Sequence, residues 1–231
     1  MSLYAWLMIG SLAGPLLLSF DKKVGFYKWW PALFAGILVN GIFFILWDSW
    51  FTSEGIWSFN PSYVAPQRWL LLPIEEWSFF VVIPYCSVFI YACCKVYLSD
   101  NFFKKHVSKF NISFILILLL AIVFFTEQRY TFYNSIFAVV LLMVHQFYLK
   151  KAYMAYFWMA YFIHLIPFFI VNGVLTAKPV VIYHATEIIG PRIYTIPIED
   201  SIYALTCLLL PITVLEFIFE LKTQRSKTAL I

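Results

Sequence analysis

The stretch RWLLLPIEEWSFF (residues 68–80) has a near copy, RIYTIPIEDSIYA (residues 192–204), in the same chain. Each copy places a proline, an isoleucine and two acids where a long apolar run begins. A shift of 124 residues aligns the two copies without a gap and extends beyond them. The aligned pairs are Asn40 and His164, Asp48 and Asn172, Phe59 and Tyr183, Arg68 and Arg192, Pro73 and Pro197, Ile74 and Ile198, Glu75 and Glu199, Glu76 and Asp200, and Phe79 and Tyr203. This duplication predicts two homologous units in one chain.

The composition predicts a protein that lies in a membrane. Hydrophobic residues make up 63% of the chain and charged residues 12%, and the mean hydropathy is +0.84, values foreign to a soluble domain. A helix needs roughly 20 apolar residues to cross a bilayer. We predict an all-α integral membrane protein with seven transmembrane helices, near 3–19, 31–47, 73–97, 112–126, 131–149, 153–171 and 197–219. The first run lacks the basic start of a signal peptide and is expected to be a span.

The positions of the basic residues predict the orientation, because cytoplasmic loops of membrane proteins are enriched in lysine and arginine. With the amino terminus outside, twelve basic residues fall on inner segments and four on outer segments. The outer four are Arg68, Arg129, Lys178 and Arg192. We therefore predict an N-out, C-in, multi-pass protein of the cell membrane. The net charge of +4 follows from this distribution, and no nucleic-acid partner is expected.

The first three and the last three spans form the predicted units, and the fourth span joins them. We place the first unit at residues 1–98, the linker with its span at 99–126 and the second unit at 127–231. A single linking helix returns the chain to its starting side, so the two units are parallel. Both acid pairs then lie at the same face, which the orientation makes the outer one. The loops 48–72 and 172–196 are long enough to fold over them.

Two interpretations apply to the four duplicated acids, which are Glu75, Glu76, Glu199 and Asp200. Proline is favoured in the first turn of a helix and acids there are stabilised by the helix dipole, so Pro73 and Pro197 could mark helix starts and nothing more. A charge at the bilayer centre, however, costs roughly 2.5–3.5 kcal/mol, which favours acids that face a cavity. Burial and a neighbouring acid favour the neutral carboxyl group, whereas a helix amino terminus and a nearby arginine favour the ionised one. Such a balance suits general acid-base catalysis.

Several other chemistries lack their sequence motifs. The eight glycines form no G-x-G-x-x-G dinucleotide loop, and the D-x-x-x-D motif of membrane prenyltransferases is missing. The seventh span has no lysine before Lys222, so a retinal Schiff base is not expected. The histidines are scattered at His106, His145, His164 and His184. We therefore predict no metal and no cofactor.

A substrate suited to these acids would be apolar, dissolved in lipid and reactive towards protons without a phosphate group. A long isoprenoid polyene has these properties, since protonation of an alkene yields a carbocation that aromatic faces stabilise. We predict that Trp77, Phe79 and Tyr203 contact the substrate or stabilise the cation. Residues predicted to support the acids or tune their ionisation are Arg68, Arg192, Asp48 and Asn172.

The duplicated motif resembles that of the heterodimer-type lycopene cyclases, in which two small membrane subunits occur separately or fused in one chain. LLPIEEWSFF would correspond to the motif of one subunit and TIPIEDSIYA to that of the other. The resemblance covers nearly the whole chain. It implies conversion of linear lycopene to β-carotene by way of γ-carotene, with no net redox change and no flavin-binding domain. It also implies membrane lipid as the surroundings and allows contacts with other enzymes of carotenoid biosynthesis.

The mechanism that this resemblance implies begins with an acid that protonates C2 of the terminal double bond and leaves a tertiary cation at C1. The C5=C6 double bond then closes the ring and a carboxylate removes the C6 proton, so the reaction is an isomerisation. We expect Glu75 and Glu199 to be the principal acids, with Glu76 and Asp200 supporting them or acting as base. Alternatives are a carotenoid hydratase, a cyclase of C50 carotenoids and, in a different class, a small-molecule or proton-coupled transporter.

Overall fold

The computed structural model describes residues 2–98 and 102–228. Within them the α-helices are α1 (Leu3–Leu18), α2 (Trp30–Ser53), α3 (Ile74–Tyr97), α4 (Val107–Phe124), α5 (Arg129–Met143), α6 (Met154–Ala177) and α7 (Glu199–Thr228). Short 3-10 helices at Phe26–Trp29, Phe102–Lys105 and Ala185–Glu187 and a π-helical segment at Val144–Leu149 accompany them. Six helical segments of this part of the chain are long and apolar enough to cross a bilayer, and α1 is a shorter apolar helix. The prediction of an all-α membrane protein is confirmed.

Two of the predicted helix ends were wrong by the same amount. The helices α2 and α6 continue six residues beyond the predicted ends, to Ser53 and Ala177. The polar residues that directly follow the predicted ends, Asp48 and Asn172, point into the protein instead of ending the helix, and Asp48 is only 3% exposed. The start of α4 was also misplaced, since it lies at Val107 rather than at residue 112. The predicted domain boundaries at residues 99 and 231 lie outside the described residues.

The structure repeats itself along the chain with the period found in the sequence. An offset of 124 residues separates the first residues of α2 and α6, Trp30 and Met154, and also their last residues. The same offset relates three pairs of short strands, which are β1 (Trp57–Phe59) and β4 (Val181–Tyr183), β2 (Arg68–Trp69) and β5 (Arg192–Ile193), and β3 (Leu72–Pro73) and β6 (Ile196–Pro197). The two units therefore share one fold element for element.

The strands β1 and β4 join the two units in a two-stranded antiparallel ribbon. Ser58 pairs with Ile182, its own equivalent in the other unit. The flanking pairs, Trp57 with Tyr183 and Phe59 with Val181, are equivalent to each other under the 124-residue offset. This register places a pseudo-twofold axis between Ser58 and Ile182 and shows that the units are parallel, with both connecting loops at one end of the bundle.

The helix packing follows the same symmetry. Helix α2 of the first unit packs on α7 of the second, and α6 of the second packs on α3 of the first. Helices α1 and α5 pack on α3 and α7, respectively, and α4 flanks α5. Helices α2 and α7 approach each other closely at Gly36, where a Cβ atom would lie 2.7 Å from the carbonyl oxygen of Pro211. The largest cluster of buried apolar side chains, which includes Leu33, Trp158 and Leu208, fills this four-helix interior.

The two ends of the bundle differ in charge. We call the end where α3 and α7 begin the acid end, because it carries the duplicated acids. Here Arg129 at the start of α5 donates to Glu187 at 2.8 and 2.9 Å and to Glu54 at 3.0 Å, which ties the two units together. The opposite end carries lysines in the connections and last turns of the helices, including Lys28, Lys95 and Lys151. The location of the acid end at the outer face of the membrane stays a prediction from this distribution.

Candidate active site

Two tight hairpins lead the chain into the acid-bearing helices. In the first, β2 and β3 pair through Arg68 with Pro73, and the connecting residues Leu70 and Leu71 have positive φ values of 51° and 68°, as a type I′ turn requires. Pro73 then serves as the N-cap of α3 with φ −65° and ψ 154°. In the second hairpin β6 ends at Pro197, two residues before α7 begins. Pro73 thus directly precedes α3, and Pro197 precedes α7 by two residues.

The two acids of each pair point to different surroundings, because consecutive residues of an α-helix are about 100° apart around its axis. The first acid of each pair binds the loop of its own unit. Glu75 accepts a hydrogen bond from the backbone N–H of Ala65 at 2.8 Å, and Glu199 accepts one from Ile189 at 2.8 Å. Ser2 also donates to Glu75, and Thr131 donates to Glu199 at 2.6 Å.

The second acid of each pair faces the pseudo-twofold axis. Glu76 accepts a hydrogen bond from the Tyr4 hydroxyl at 2.7 Å. Asp200 accepts three, from the hydroxyls of Tyr130 and Tyr183 and from the Nδ2 amide of Asn172, each at 2.7 Å. Glu76 and Asp200 are 6% and 5% exposed, respectively, so both carboxyl groups are removed from bulk solvent.

A cavity of about 60 Å³ lies between the two units and is lined by both of these acids. Its further lining comprises Asp48, Asn172, Phe168, Leu175 and Val181, together with the aromatic residues Tyr4, Trp57, Phe59, Phe79, Tyr130, Tyr183 and Tyr203. The β1–β4 ribbon contributes Trp57, Phe59, Val181 and Tyr183 to its wall at the acid end of the bundle. Glu75 and Glu199 are not part of this lining.

The two units differ in the acids that they place at the cavity. In the first unit the carboxyl groups of Asp48 and Glu76 are neighbours in the cavity wall. Two ionised carboxylates in such a place repel each other, which favours a proton on one of them. In the second unit the equivalent of Asp48 is Asn172, which donates its amide hydrogen to Asp200. Asp200 is thus surrounded by donors, which favour its ionised form.

The hydroxyl groups around the cavity act as donors. Tyr203 donates to Asp48 at 2.7 Å, across the boundary between the units. Tyr183 lies in β4, outside the membrane-spanning helices. Burial and the neighbouring Asp200 carboxylate hold the pKa of Tyr183 well above its ordinary value of 10.0, so its hydroxyl group keeps its proton.

Of the other residues predicted from the sequence to act at the site, four line the cavity and Trp77 does not. Phe79 and Tyr203 line the cavity, as do Asp48 and Asn172. Trp77 instead donates its Nε1 hydrogen to the carbonyl oxygen of Trp69 at 3.2 Å and faces the outside of α3.

The two predicted arginines lie over aromatic rings of the ribbon. The guanidinium carbon of Arg68 is 5.9 Å from the ring centre of Phe59, and that of Arg192 is 6.0 Å from the ring centre of Tyr183. Within residues 2–98 and 102–228, the ion pairs involve neither arginine. Neither guanidinium group therefore forms an ion pair with the duplicated acids in this part of the chain.

Three functional candidates were missed by the sequence interpretation, namely Tyr4, Tyr130 and Tyr183. Tyr4 and Tyr130 occupy equivalent positions on Glu76 and Asp200, yet they lie 126 residues apart and fall out of the ungapped alignment. Allowing a gap between the first and second helix of each unit would have paired them. Tyr183 was aligned with Phe59, but nothing in the sequence indicated that its hydroxyl group reaches an acid.

The chain was compared with known families and proteins. A family model described as lycopene cyclase matches residues 1–94 and 127–218, so that each matched segment contains one of the two acid pairs. No curated protein and no solved structure matches the chain. In the described part of the chain, no group of three or more His, Cys, Asp or Glu side chains is arranged to hold a metal ion.

Proposed function

The chain belongs to the lycopene cyclase family, and we propose that it closes β-rings at the ends of lycopene by protonation, ring closure and deprotonation. It is a membrane-embedded protein whose family implies a lipophilic carotenoid substrate. The observation that carries the proposal is the pair of unlike acidic groups at one cavity. In this proposal Asp48 and Glu76, neighbours at the cavity, share one proton, and Asp200, which accepts three hydrogen bonds, is the carboxylate.

The first unit supplies the acid in this proposal. Glu76 transfers the proton that it shares with Asp48 to C2 of the terminal C1=C2 double bond. The electron pair of that double bond forms the new C–H bond, and C1 becomes a tertiary cation. Asp48 remains hydrogen-bonded to Tyr203, so the negative charge left on the pair is shared with a donor. Positioned proton transfer of this kind contributes roughly 10²–10⁴-fold to enzymatic rates.

Ring closure needs no further group from the protein beyond a favourable surface. The C5=C6 electron pair attacks C1, which forms the C1–C6 bond and moves the positive charge to C5. The aromatic side chains of Trp57, Phe79 and Phe168 line the cavity, and aromatic faces attract cations at short range.

The second unit supplies the base. Asp200 removes the proton from C6, and the released electron pair forms the C5=C6 double bond of the β-ring. One proton is added and one is removed, so the reaction is an isomerisation that requires no redox cofactor. The three donors on Asp200 hold its carboxylate in one place for this step.

Exclusion of water decides between a cyclase and a hydratase, because water would trap the same cation as an alcohol. In this proposal the β1–β4 ribbon, which is part of the cavity wall, shields the cation from water, and the hydrogen bonds of Glu75 to Ala65 and of Glu199 to Ile189 hold the two loops in place. We therefore assign these two acids to the cover of the site and the other two to the chemistry. This arrangement favours cyclisation over hydration.

Purified protein in detergent, incubated with lycopene in D₂O, tests the proposal. The expected product is a cyclic carotene that carries one deuterium at C2 for each ring formed, since the acid exchanges its proton with solvent. A product heavier than lycopene by one water molecule would instead identify a hydratase. Unchanged lycopene, or rings that contain no deuterium, would refute the proposed mechanism. Conversion in detergent would also argue against a transporter, which needs two compartments to act.

A further inference from the structure

An apolar groove between α1, α3 and α6 meets the acid cavity. It has a volume of about 240 Å³ and shares Phe79, Phe168, Asn172 and Leu175 with the cavity lining. Away from the cavity it is lined by Ser11, Pro15, Ile83, Cys86, Ser87, Ile90, His164, Pro167 and Val171. The groove therefore leads from the apolar surface of the bundle to the acids.

The polar side chains of the groove are engaged within its wall. His164 and Ser87 are buried and hydrogen-bonded, with 3.0 Å between Nδ1 and Oγ. Ser11 donates its hydroxyl hydrogen to the carbonyl oxygen of Leu7 at 2.8 Å, and Cys86 donates to the carbonyl oxygen of Ser11 at 3.3 Å. The groove consequently presents mainly hydrocarbon to a ligand.

The pseudo-twofold axis relates this groove to a region between α5, α7 and α2, and that region is filled by aromatic rings. Phe43 stacks on Phe137 with ring centres 4.4 Å apart, and Trp47 lies 5.7 Å from Phe43 and 5.8 Å from Phe137. We call these three side chains the aromatic plug.

The residues equivalent to the plug in the open groove are smaller. Pro167 takes the place of Phe43, and Val171 takes that of Trp47, by the 124-residue offset. Ser11 takes the place of Phe137, because Ser11 follows Tyr4 by the same interval that separates Phe137 from Tyr130. The asymmetry therefore comes from three side chains on an otherwise duplicated backbone.

We propose that the groove between α1, α3 and α6 holds the polyene chain of the carotenoid next to its reacting end, and that the aromatic plug excludes the polyene from the equivalent region. This inference rests on the proposed function and adds a binding mode to it. The cavity receives the reacting end, and the adjoining groove takes the carbons that follow it. Because the groove leads to one acid cavity, the enzyme closes one ring at a time. The monocyclic product leaves the groove and rebinds in the opposite orientation, with its linear end at the acids, before its second ring is formed.

Exchange of equivalent residues tests the groove. Val171→Trp places in the groove the residue that fills the equivalent position, and it is expected to lower ring formation per folded protein by roughly tenfold or more through overpacking. Trp47→Val is the matched control and is expected to keep ring formation at or above half the wild-type rate. Pro167→Phe, at an exposed position of the groove rim, provides a second block if Val171→Trp does not fold.

The outcomes separate this inference from the proposed function. Wild-type protein that forms no ring would refute the proposed function, whatever the variants do. Ring formation by the wild type together with undiminished rates in folded Val171→Trp or Pro167→Phe would refute the groove assignment. Equal losses in Trp47→Val and Val171→Trp would refute the asymmetry.

Release of the monocyclic product has its own test. Wild-type protein is given lycopene together with isotope-labelled γ-carotene in the same micelles. If the intermediate leaves the groove, label enters the bicyclic product in proportion to the labelled share of the free monocyclic pool. Unlabelled β-carotene formed while labelled γ-carotene remains unused would show that both rings close without release, and would overturn the one-end binding mode.

Discussion

Asp48 and Glu76, on neighbouring helices of the first unit, are two carboxyl groups at one cavity, whereas their equivalents in the second unit are an amide donor, Asn172, and a carboxyl acceptor, Asp200. The replacement of an acid by an amide within a duplicated framework thus creates two different groups from two copies of one motif. A site that must both give and take a proton needs such a difference. The symmetric backbone holds the two groups on opposite sides of one cavity.

The assignment of the second acid of each pair to the chemistry predicts a clear order of mutational effects. Glu76→Gln and Asp200→Asn should each lower kcat for lycopene cyclisation by about 10²-fold or more, the usual contribution of a general acid or base. Glu75→Gln and Glu199→Gln should lower it by less than about tenfold, since glutamine can still accept the backbone hydrogen bond that holds the loop. Both pairs of variants are checked by measuring product formation per folded protein. The reverse order would restore Glu75 and Glu199 as the principal acids.

A shared proton predicts that Asp48 and Glu76 act as one unit. Asp48→Asn should lower kcat by about 10²-fold, because the amide donates to Glu76 and removes the need for a shared proton. The double variant with Glu76→Gln should lose no more activity than the stronger of the two single variants, since groups of one network are not additive. Kinetics of the four proteins form a double-mutant cycle. Additive losses would mean that the two carboxyl groups work independently.

The hydroxyl group of Tyr183 should matter through Asp200. Tyr183→Phe removes one of three donors to that carboxylate. Because hydrogen bonds to charged groups contribute about 1.5–3 kcal/mol, kcat should fall roughly tenfold or more. Tyr194→Phe is a matched control in the neighbouring hairpin, where the side chain is 82% exposed, and it should leave kcat unchanged. An unchanged kcat in Tyr183→Phe would remove this tyrosine from the site.

The pair formed by Arg129 and Glu187 predicts a dependence of stability on pH. Its hydrogen bonds hold the pKa of Glu187 below its ordinary value of 4.5. The stabilisation is therefore complete above pH 4.5 and is lost as the pH falls through the lower folded-state pKa. Glu187→Gln should lower Tm in detergent at neutral pH, and the difference from wild type should shrink below pH 4.5.

A surface pair at the opposite end of the bundle is the control for this effect. Glu220 binds Lys151 at 2.8 Å with both side chains about 40% exposed, and such pairs contribute about 0–1 kcal/mol. Glu220→Gln should therefore change Tm little at any pH. A Tm difference for Glu187→Gln that stays constant down to about pH 3 would contradict an ionic origin.

The close approach of α2 and α7 predicts that Gly36 tolerates no side chain. In Gly36→Ala the new Cβ would meet the carbonyl oxygen of Pro211 at 2.7 Å, so the helices must shift, at a cost of about 1–3 kcal/mol. Gly41→Ala, in the same helix with no atom within 4 Å of its Cβ position, is the control and should be neutral or stabilising. Thermal unfolding of both variants checks this. Equal Tm values for the two would show that α7 yields without cost.

The sequence allowed the membrane helices, the duplication and the proline-marked helix starts to be predicted, because hydrophobic runs and an ungapped repeat are local signals. The direction of each acid could not be predicted in this way. Glu75 and Glu76 are neighbours in the chain, and only the packing of α3 against α1 and α2 decides which of them meets a loop and which meets Asp48.

Contacts between residues far apart in the sequence account for the other features that could not be predicted. Tyr4 reaches Glu76 from 72 residues away, and its equivalence to Tyr130 is hidden by a two-residue change in the connection after the first helix of each unit. The extension of α2 past Asp48 was missed for a related reason, since a polar residue looks like a helix end until its buried partner, Tyr203, is known.

The ribbon of β1 and β4 has a consequence for how this architecture is assembled. Ser58 pairs with its own equivalent, which is the isologous contact of a symmetric dimer. Within the described part of the chain neither strand pairs with a strand of its own unit, so each half leaves an unpaired strand edge until the other half arrives. The chain is in this sense a dimer whose subunits are tethered by α4, and the tether gives the halves a high effective concentration for one another. Two separately made halves would have to find each other before either could cover its acids.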